Sequence, residues 1–245
     1  MGLFFILVGL IVGSFLNVII YRLPRGESIV LPPSHCPACN HRLNGLDLFP
    51  VVSFLFLRGR CRYCGTAIGW RYPLVELLTG GLTLLAWLRF GPTVELAGAL
   101  FLTYILIAIA FIDLDHQIIP NALTLPAIVV GLALRFWQGS GLDAVIGGLV
   151  GGGILWLVAW LYPKGMGLGD VKFLAMAGVF LGWLKAIYAL FLGSFLGVLI
   201  ILPLMLLKKI GRRQPFPFGP FLAVAALVMV FFGDQVLGLL GMRWG

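Results

Sequence analysis

The chain has 245 residues, of which 61% are apolar and only 11% charged, and a net charge of +8. Soluble domains carry about 25% charged residues, so a soluble fold is excluded. Several stretches reach the roughly 17–25 apolar residues that cross a bilayer, and the 33 glycines suit helices packed closely in lipid. The fold class is all-α and polytopic. The positive charge does not point to nucleic acid, because it is concentrated between apolar runs. Seven Lys/Arg fall between Arg22 and Arg71, and four more lie in Lys208-Lys209-Ile210-Gly211-Arg212-Arg213. That is the positive-inside pattern, which puts both loops in the cytosol.

The first span covers about 3–21 and carries Ser14 and Asn17. No Lys or Arg precedes Arg22, so it reads as a retained span rather than a secretory signal. Ile6 stands where a myristoylation signal needs Ser or Thr. A polar stretch rich in Pro, Gly and Cys follows, at 26–71. The second span, about 73–90, opens on a proline in its first turn and carries Glu76 near its cytosolic end. The third, about 94–112, delivers Asp113. Asn121 is placed to cap the fourth, about 121–137. A short outer turn leads to the fifth, about 144–162, and a Pro/Gly-rich loop then returns to the cytosolic side. The sixth span (about 171–183) is short, the seventh covers about 186–207, and the eighth, about 221–240, follows Pro215-Phe216-Pro217-Phe218-Gly219-Pro220. Gly and Trp between spans six and seven allow more than one register there. The count is about eight transmembrane helices with both termini outside. The expected organisation is a first transmembrane helix at 1–21, a cytosolic zinc-binding loop at 22–72, and a transmembrane core at 73–245.

The four cysteines form two pairs, Cys36-Pro37-Ala38-Cys39 and Cys61-Arg62-Tyr63-Cys64. Two CxxC knuckles about twenty residues apart have zinc-ribbon spacing. Disulfides or redox pairs compete with that reading, but disulfides rarely persist in the cytosol. Four thiolates close a tetrahedral site with no open position, so the metal folds a loop too short to build its own core. His35 and His41 lie in the same region and read as structural or exposed.

The carboxylates carry the chemistry. Asp113 and Asp115 stand in Ile112-Asp113-Leu114-Asp115-His116, directly after an apolar run. An acid there meets hydrocarbon and the unfavourable end of a helix dipole, and is a functional candidate by default. Asp113 ranks above Asp115 and His116, which also read as solvated interfacial groups. A second motif, Gly165-Met166-Gly167-Leu168-Gly169-Asp170-Val171-Lys172, delivers Asp170 to a helix start. There Asp170 is either a plain N-cap or the partner of Asp113. Two facing carboxylates share a proton: one activates water, and the other protonates the carbonyl and the leaving amine. Gly167 and Gly169 let a peptide backbone approach. Glu76, a turn inside its span, needs a partner or a wet pocket, with Ser14, Asn17 and Arg22 as candidates.

Taken in order, several motifs resemble those of type IV prepilin peptidases. They are Gly13-Ser14-Phe15-Leu16-Asn17-Val18, Tyr21-Arg22-Leu23-Pro24, the two CxxC pairs, Leu57-Arg58-Gly59-Arg60-Cys61 and Arg71-Tyr72-Pro73-Leu74-Val75-Glu76. Ile112 to Gln117, the Gly-x-Gly-Asp at Gly167 to Asp170, and Phe218-Gly219-Pro220 complete the series. One departure is Asp47-Leu48-Phe49-Pro50, where many relatives have Asn-Ile-Pro. The resemblance implies an intramembrane aspartic endopeptidase of the bacterial inner membrane. It would cleave the leader of prepilin-like or pseudopilin-like proteins after a glycine on the cytosolic side. Asp113 and Asp170 would be its catalytic pair, with Asp115, Gly167, Gly169 and Lys172 in support. The resemblance also implies N-methylation of the new terminus with S-adenosylmethionine, where Glu76 and Arg22 are the candidates. Its partners are the pilin-like substrate and the lipid bilayer. The rival from another class is a proton-coupled transporter that uses the aspartates as a relay.

Overall fold

The computed structural model describes residues 1–162, 166–207, 216–239 and 241. It is helical apart from two isolated β-bridges in the polar loop. The helices are α1 (Gly2–Arg22, followed by a 3-10 turn, Leu23–Arg25), the short α2 (Val52–Phe56), α3 (Arg71–Phe90) and α4 (Val94–His116). They continue with α5 (Asn121–Trp137), α6 (Gly141–Leu161), α7 (Leu168–Leu181), α8 (Trp183–Leu206) and α9 (Gly219–Leu239). Among the described residues, eight longer helices therefore stand where about eight transmembrane helices were expected. Among the described residues six of them, α1, α3, α4, α6, α8 and α9, are long and apolar enough to cross a membrane. The other two are shorter, with 17 residues in α5 and 14 in α7. The basic run 208–213, Gly165 and Leu240 lie outside the described residues.

The chain forms two compact units, Met1–Leu100 and Phe101–Gly245. In the first, α1 packs on α3 through small residues. A Cβ on Gly9 would lie 2.8 Å from the Gly80 Cα, and one on Gly13 would lie 2.7 Å from the Glu76 Cα. Such close approach replaces the missing hydrophobic drive between helices in lipid. In the second unit the same device joins α6 to α7. Gly147 and Gly178 face each other so closely that a Cβ on either would overlap the other's carbonyl oxygen. Its core is lined by Leu102, Leu106 and Ile109 of α4, Phe173 and Leu174 of α7, and Leu222 and Met229 of α9.

Three boundaries differ from the sequence reading. Helix α4 does not stop at Ile112 but runs to His116, where Gln117 at φ 54 takes the left-handed conformation that ends helices. Asp113 thus lies inside the last turn. Asn121 is the first residue of α5 rather than its cap, which is Pro120. The division between the sixth and seventh apolar helices falls on Gly182 alone. Gly182 has φ 82, and any Cβ there would strike the Asp143 carboxylate.

Candidate functional site

The second unit brings Asp113, Asp170 and Gly219 together. On α4 the buried residues Leu102, Leu106, Ile109 and Asp113 recur at helical spacing, so Asp113 continues the core-facing stripe. Asp115 is two residues further round and exposed. On α7 the stripe Asp170, Phe173, Leu174, Ala177 follows the same rule, with the last three fully buried. Asp170 is not the helix cap, for Gly167 occupies that position. It is instead the third residue of the helix, where the dipole favours negative charge. Its carboxylate lies near enough to that of Asp113 for their charges to interact. The two acids expected to pair are on one face of one unit.

The third member was not singled out from the sequence. The Gly219 N–H, at the first residue of α9, donates to Asp113 Oδ2 at 2.9 Å. A Cβ on Gly219 would lie 2.7 Å from that oxygen, so only glycine fits. The sequence signal is Phe218-Gly219-Pro220, a helix start with proline in its first turn. Nothing in it says which side chain the amide will meet. The helix starts of α7 and α9 therefore both border the carboxylate pair, as suits anionic groups.

The supporting residues divide. Lys172, on the other side of α7 from the buried stripe, donates from Nζ to Asn121 Oδ1 at 2.6 Å, tying α7 to α5. Gly169 is packed, since a Cβ there would sit 3.2 Å from Ile119. Gly167 is exposed, and a Cβ there would meet nothing closer than 3.8 Å. Backbone approach is therefore open at Gly167 but not at Gly169.

In the first unit the four cysteine Sγ atoms gather within 4.8 Å of one another. The two knuckles are built alike. The amide of each first cysteine bonds a carbonyl across its hairpin, Cys36 to His41 at 3.0 Å and Cys61 to Thr66 at 2.8 Å. Each second cysteine is followed by a left-handed residue, Asn40 at φ 54 and Gly65 at φ 73. Metal–thiolate bonds of about 2.3 Å in a tetrahedron imply sulfur pairs about 3.8 Å apart. Cys36 and Cys64 are 3.8 Å apart. The donor set fits a tetrahedral thiolate metal. The Thr66 hydroxyl, followed by its amide, draws the Cys64 thiol down to about 6. At Cys39 in the same cluster the His41 backbone bond lowers the thiol, but burial and the neighbouring Cys64 and Cys36 outweigh it and push it up to about 11, as expected of crowded thiols sharing charge.

Asp47 fastens the knuckles together. It accepts from Asn44 N (3.1 Å), Arg62 Nε (2.7 Å) and Tyr63 Oη (3.0 Å), and Tyr63 stacks on His41. Desolvation works against its charge, but these donors outweigh it and hold the carboxyl below its usual range. The sequence reading assigned Asp47 no such role. His41 and His35 are both exposed, as expected.

Glu76 is buried at 7% exposure, and its Oε2 accepts the Val51 N–H at 2.7 Å. Arg22 does not pair with it, contrary to one expectation. Its guanidinium instead donates to the Ser28 carbonyl at 3.0 Å and the Pro33 carbonyl at 3.5 Å, securing the start of the polar loop. Asn17 donates to the Tyr72 carbonyl at 3.1 Å.

Two family descriptions match the chain. Residues 7–90 match the bacterial peptidase A24 N-terminal domain, and residues 100–202 match the type IV leader peptidase family. The two stretches divide where the two compact units divide. Among curated proteins, the prepilin leader peptidase/N-methyltransferase of Aeromonas hydrophila is 39% identical over 94% of this chain and 90% of its own length. The protein of that name from Pseudomonas aeruginosa is 39% identical with the same coverage. Its counterpart from Dichelobacter nodosus is 39% identical over 98% of this chain and 95% of its own length. No solved structure matches. These relatives are enzymes, and the transporter reading finds no support.

Proposed function

The chain belongs to the type IV leader peptidase family, and on that premise we propose that it is an intramembrane aspartic endopeptidase and N-methyltransferase of prepilin-like proteins. The observation that carries the peptidase half is the meeting of Asp113 and Asp170 beside the amide of Gly219. Two carboxylates whose charges interact do not readily ionise together, so one of the pair keeps its proton. The ionised one takes a proton from water, which attacks the scissile carbonyl. The protonated one donates to the carbonyl oxygen and then to the leaving amine. The Gly219 N–H holds the Asp113 side chain in one rotamer, so the pair stays aligned through both proton transfers. The open surface at Gly167 receives the substrate backbone. Lys172, through Asn121, keeps the first turn of α7 in place, and exposed Asp115 serves the basic leader as a supporting charge.

The family resemblance puts the cut after a glycine on the cytosolic side. The multi-pass helices lie in the bacterial inner membrane, with the polar loop and the aspartates at the cytosolic face and both termini outside. The loop at 22–72 holds zinc through Cys36, Cys39, Cys61 and Cys64. Thiolate chemistry and the 3.8 Å sulfur spacing support that choice of metal. It is structural, since four cysteines leave no position open. The methyl donor is S-adenosylmethionine, and Glu76 and Arg22 belong to the transferase half.

The test is leader cleavage of a prepilin by the chain in liposomes, comparing wild type with Asp113→Asn and Asp170→Asn. Asparagine preserves shape and removes the ionisable group. Both variants should fold, retain zinc and fail to cleave. Cleavage by folded Asp170→Asn would reduce Asp170 to a helix-start residue and sink the pair.

A further inference from the structure

The first unit contains a cavity of about 510 Å³ where α1, the first turns of α3 and both knuckles meet. That is a size typical of small-molecule sites. Most of its wall is apolar, with Ile11, Phe15 and Val18 on one side and Leu43, Phe54 and Leu57 on the other. Three polar side chains in the wall are more than nine-tenths buried: Asn17 at 3%, Arg22 at 6% and Glu76 at 7% exposure. None is satisfied by another. Arg22 holds two backbone carbonyls and has no carboxylate partner among the described residues. Glu76 accepts the Val51 amide and the Ser14 hydroxyl, and no described cation pairs with it. Asn17 donates through Nδ2, but its Oδ1 has no partner.

A buried charge without a counter-charge is costly, and so is a buried acceptor without a donor. Unpaired groups of opposite sign around one chamber therefore call for ligands that carry both signs and hydrogen-bond donors. We propose that this cavity is the methyl-transfer chamber, with Arg22 binding the carboxylate of S-adenosylmethionine and Glu76 with Asn17 Oδ1 receiving the new N-terminal amine. The proposal rests on the methyl-transfer reading and adds its location and the task of each residue. When bound, the donor supplies a methyl group whose bond to sulfur breaks with its electron pair going to sulfur. The amine must offer a lone pair to that carbon, and at neutral pH it arrives largely as an ammonium. Glu76 takes the extra proton, the nitrogen–carbon bond forms, and a methylated ammonium and a protonated Glu76 remain. Water then accepts the proton from Glu76.

The experiment uses the full zinc-loaded chain in lipid nanodiscs, with S-adenosylhomocysteine titrated calorimetrically. Wild type should bind it. Arg22→Gln should weaken binding about tenfold or more, and Arg22→Lys should keep most of it, since the cation remains. Glu76→Gln should bind the ligand as wild type does but methylate about a hundredfold more slowly at neutral pH. Its rate should recover as the pH rises and the amine loses its proton unaided, which a merely structural role would not produce. Photolabelling of wild type with an azido-adenosyl donor analogue needs no variant, and the label should fall on the cavity lining. No binding by wild type, unchanged binding by Arg22→Gln, wild-type methylation by Glu76→Gln, or label confined to the second unit would each overturn the proposal. A wild-type chain that cleaves prepilin but never methylates it would instead overturn the methyl-transfer reading beneath it.

Discussion

Asp113 and Asp115 are two residues apart, about 200° around a helix, and that angle decides their fates. Asp113 falls on the stripe of Leu102, Leu106 and Ile109, whereas Asp115 is exposed. Asp115→Asn should accordingly lower cleavage by no more than about tenfold, against a loss of many orders for Asp113→Asn, read from initial rates on one prepilin. Gly219→Ala is a sharper test, because its methyl would press on the oxygen that the Gly219 amide holds. Cleavage should fall at least about a hundredfold with protein yield unchanged, as when an aligned active-site donor is displaced. Asp47 gives a pH-dependent prediction. Its folded carboxyl sits below the ordinary range, so its contribution is full above the unfolded value of about 3.9 and is lost as pH falls through the folded value. Asp47→Asn should therefore speed chelator-driven metal loss at pH 7. The gap from wild type should close in strong acid.

Among the helices, packing rests on missing side chains. Gly147 on α6 and Gly178 on α7 touch backbone to backbone, and Gly151 and Gly152 continue the contact against Leu174 and Ala175. Since α7 carries Asp170, this seam sets where the second carboxylate stands. Gly178→Val should displace α7 and abolish folded protein as well as cleavage, seen as aggregation on size exclusion in detergent. At Gly182, both the left-handed backbone and the nearby Asp143 carboxylate refuse a side chain. That carboxylate already binds Arg135 at 2.7 Å, across the ends of α5 and α6. Gly182→Ala should cost roughly 1–3 kcal/mol, measured as a lower thermal midpoint.

For the molecule as a whole, the residues proposed for cleavage and those proposed for methyl transfer lie in different units. Asp113, Asp170 and Gly219 belong to the second unit, and the thiolate cluster and the polar cavity to the first. The cavity is walled partly by Cys36, Cys61 and their neighbours, so its shape depends on the knuckles. Stripping the metal with a chelator should thus abolish methylation and donor binding while leader cleavage persists. Parallel loss of both activities would show that the loop serves the peptidase as well.

Much of this was legible in the residues themselves. Hydrocarbon length and the scarcity of charge fixed a helical membrane protein, since a backbone in lipid must satisfy its own hydrogen bonds. The spacing of Cys36, Cys39, Cys61 and Cys64 announced the four-cysteine cluster, because CxxC knuckles are local geometry. Asp113 and Asp170 stood out because carboxylates are costly beside apolar runs. Other features were decided only when the chain folded. Helix α4 is apolar on every side, so no pattern in it told which face was core, and the separation of Asp113 from Asp115 awaited α4's neighbours. The contact of Gly219 with Asp113 spans 106 residues and uses a backbone amide, which every non-proline residue possesses and no motif can single out. The cavity of Asn17, Arg22 and Glu76 likewise arises from α1, α3 and the polar loop brought together. Sequence records which groups are available, but only tertiary packing determines which of them are left buried without a counter-charge.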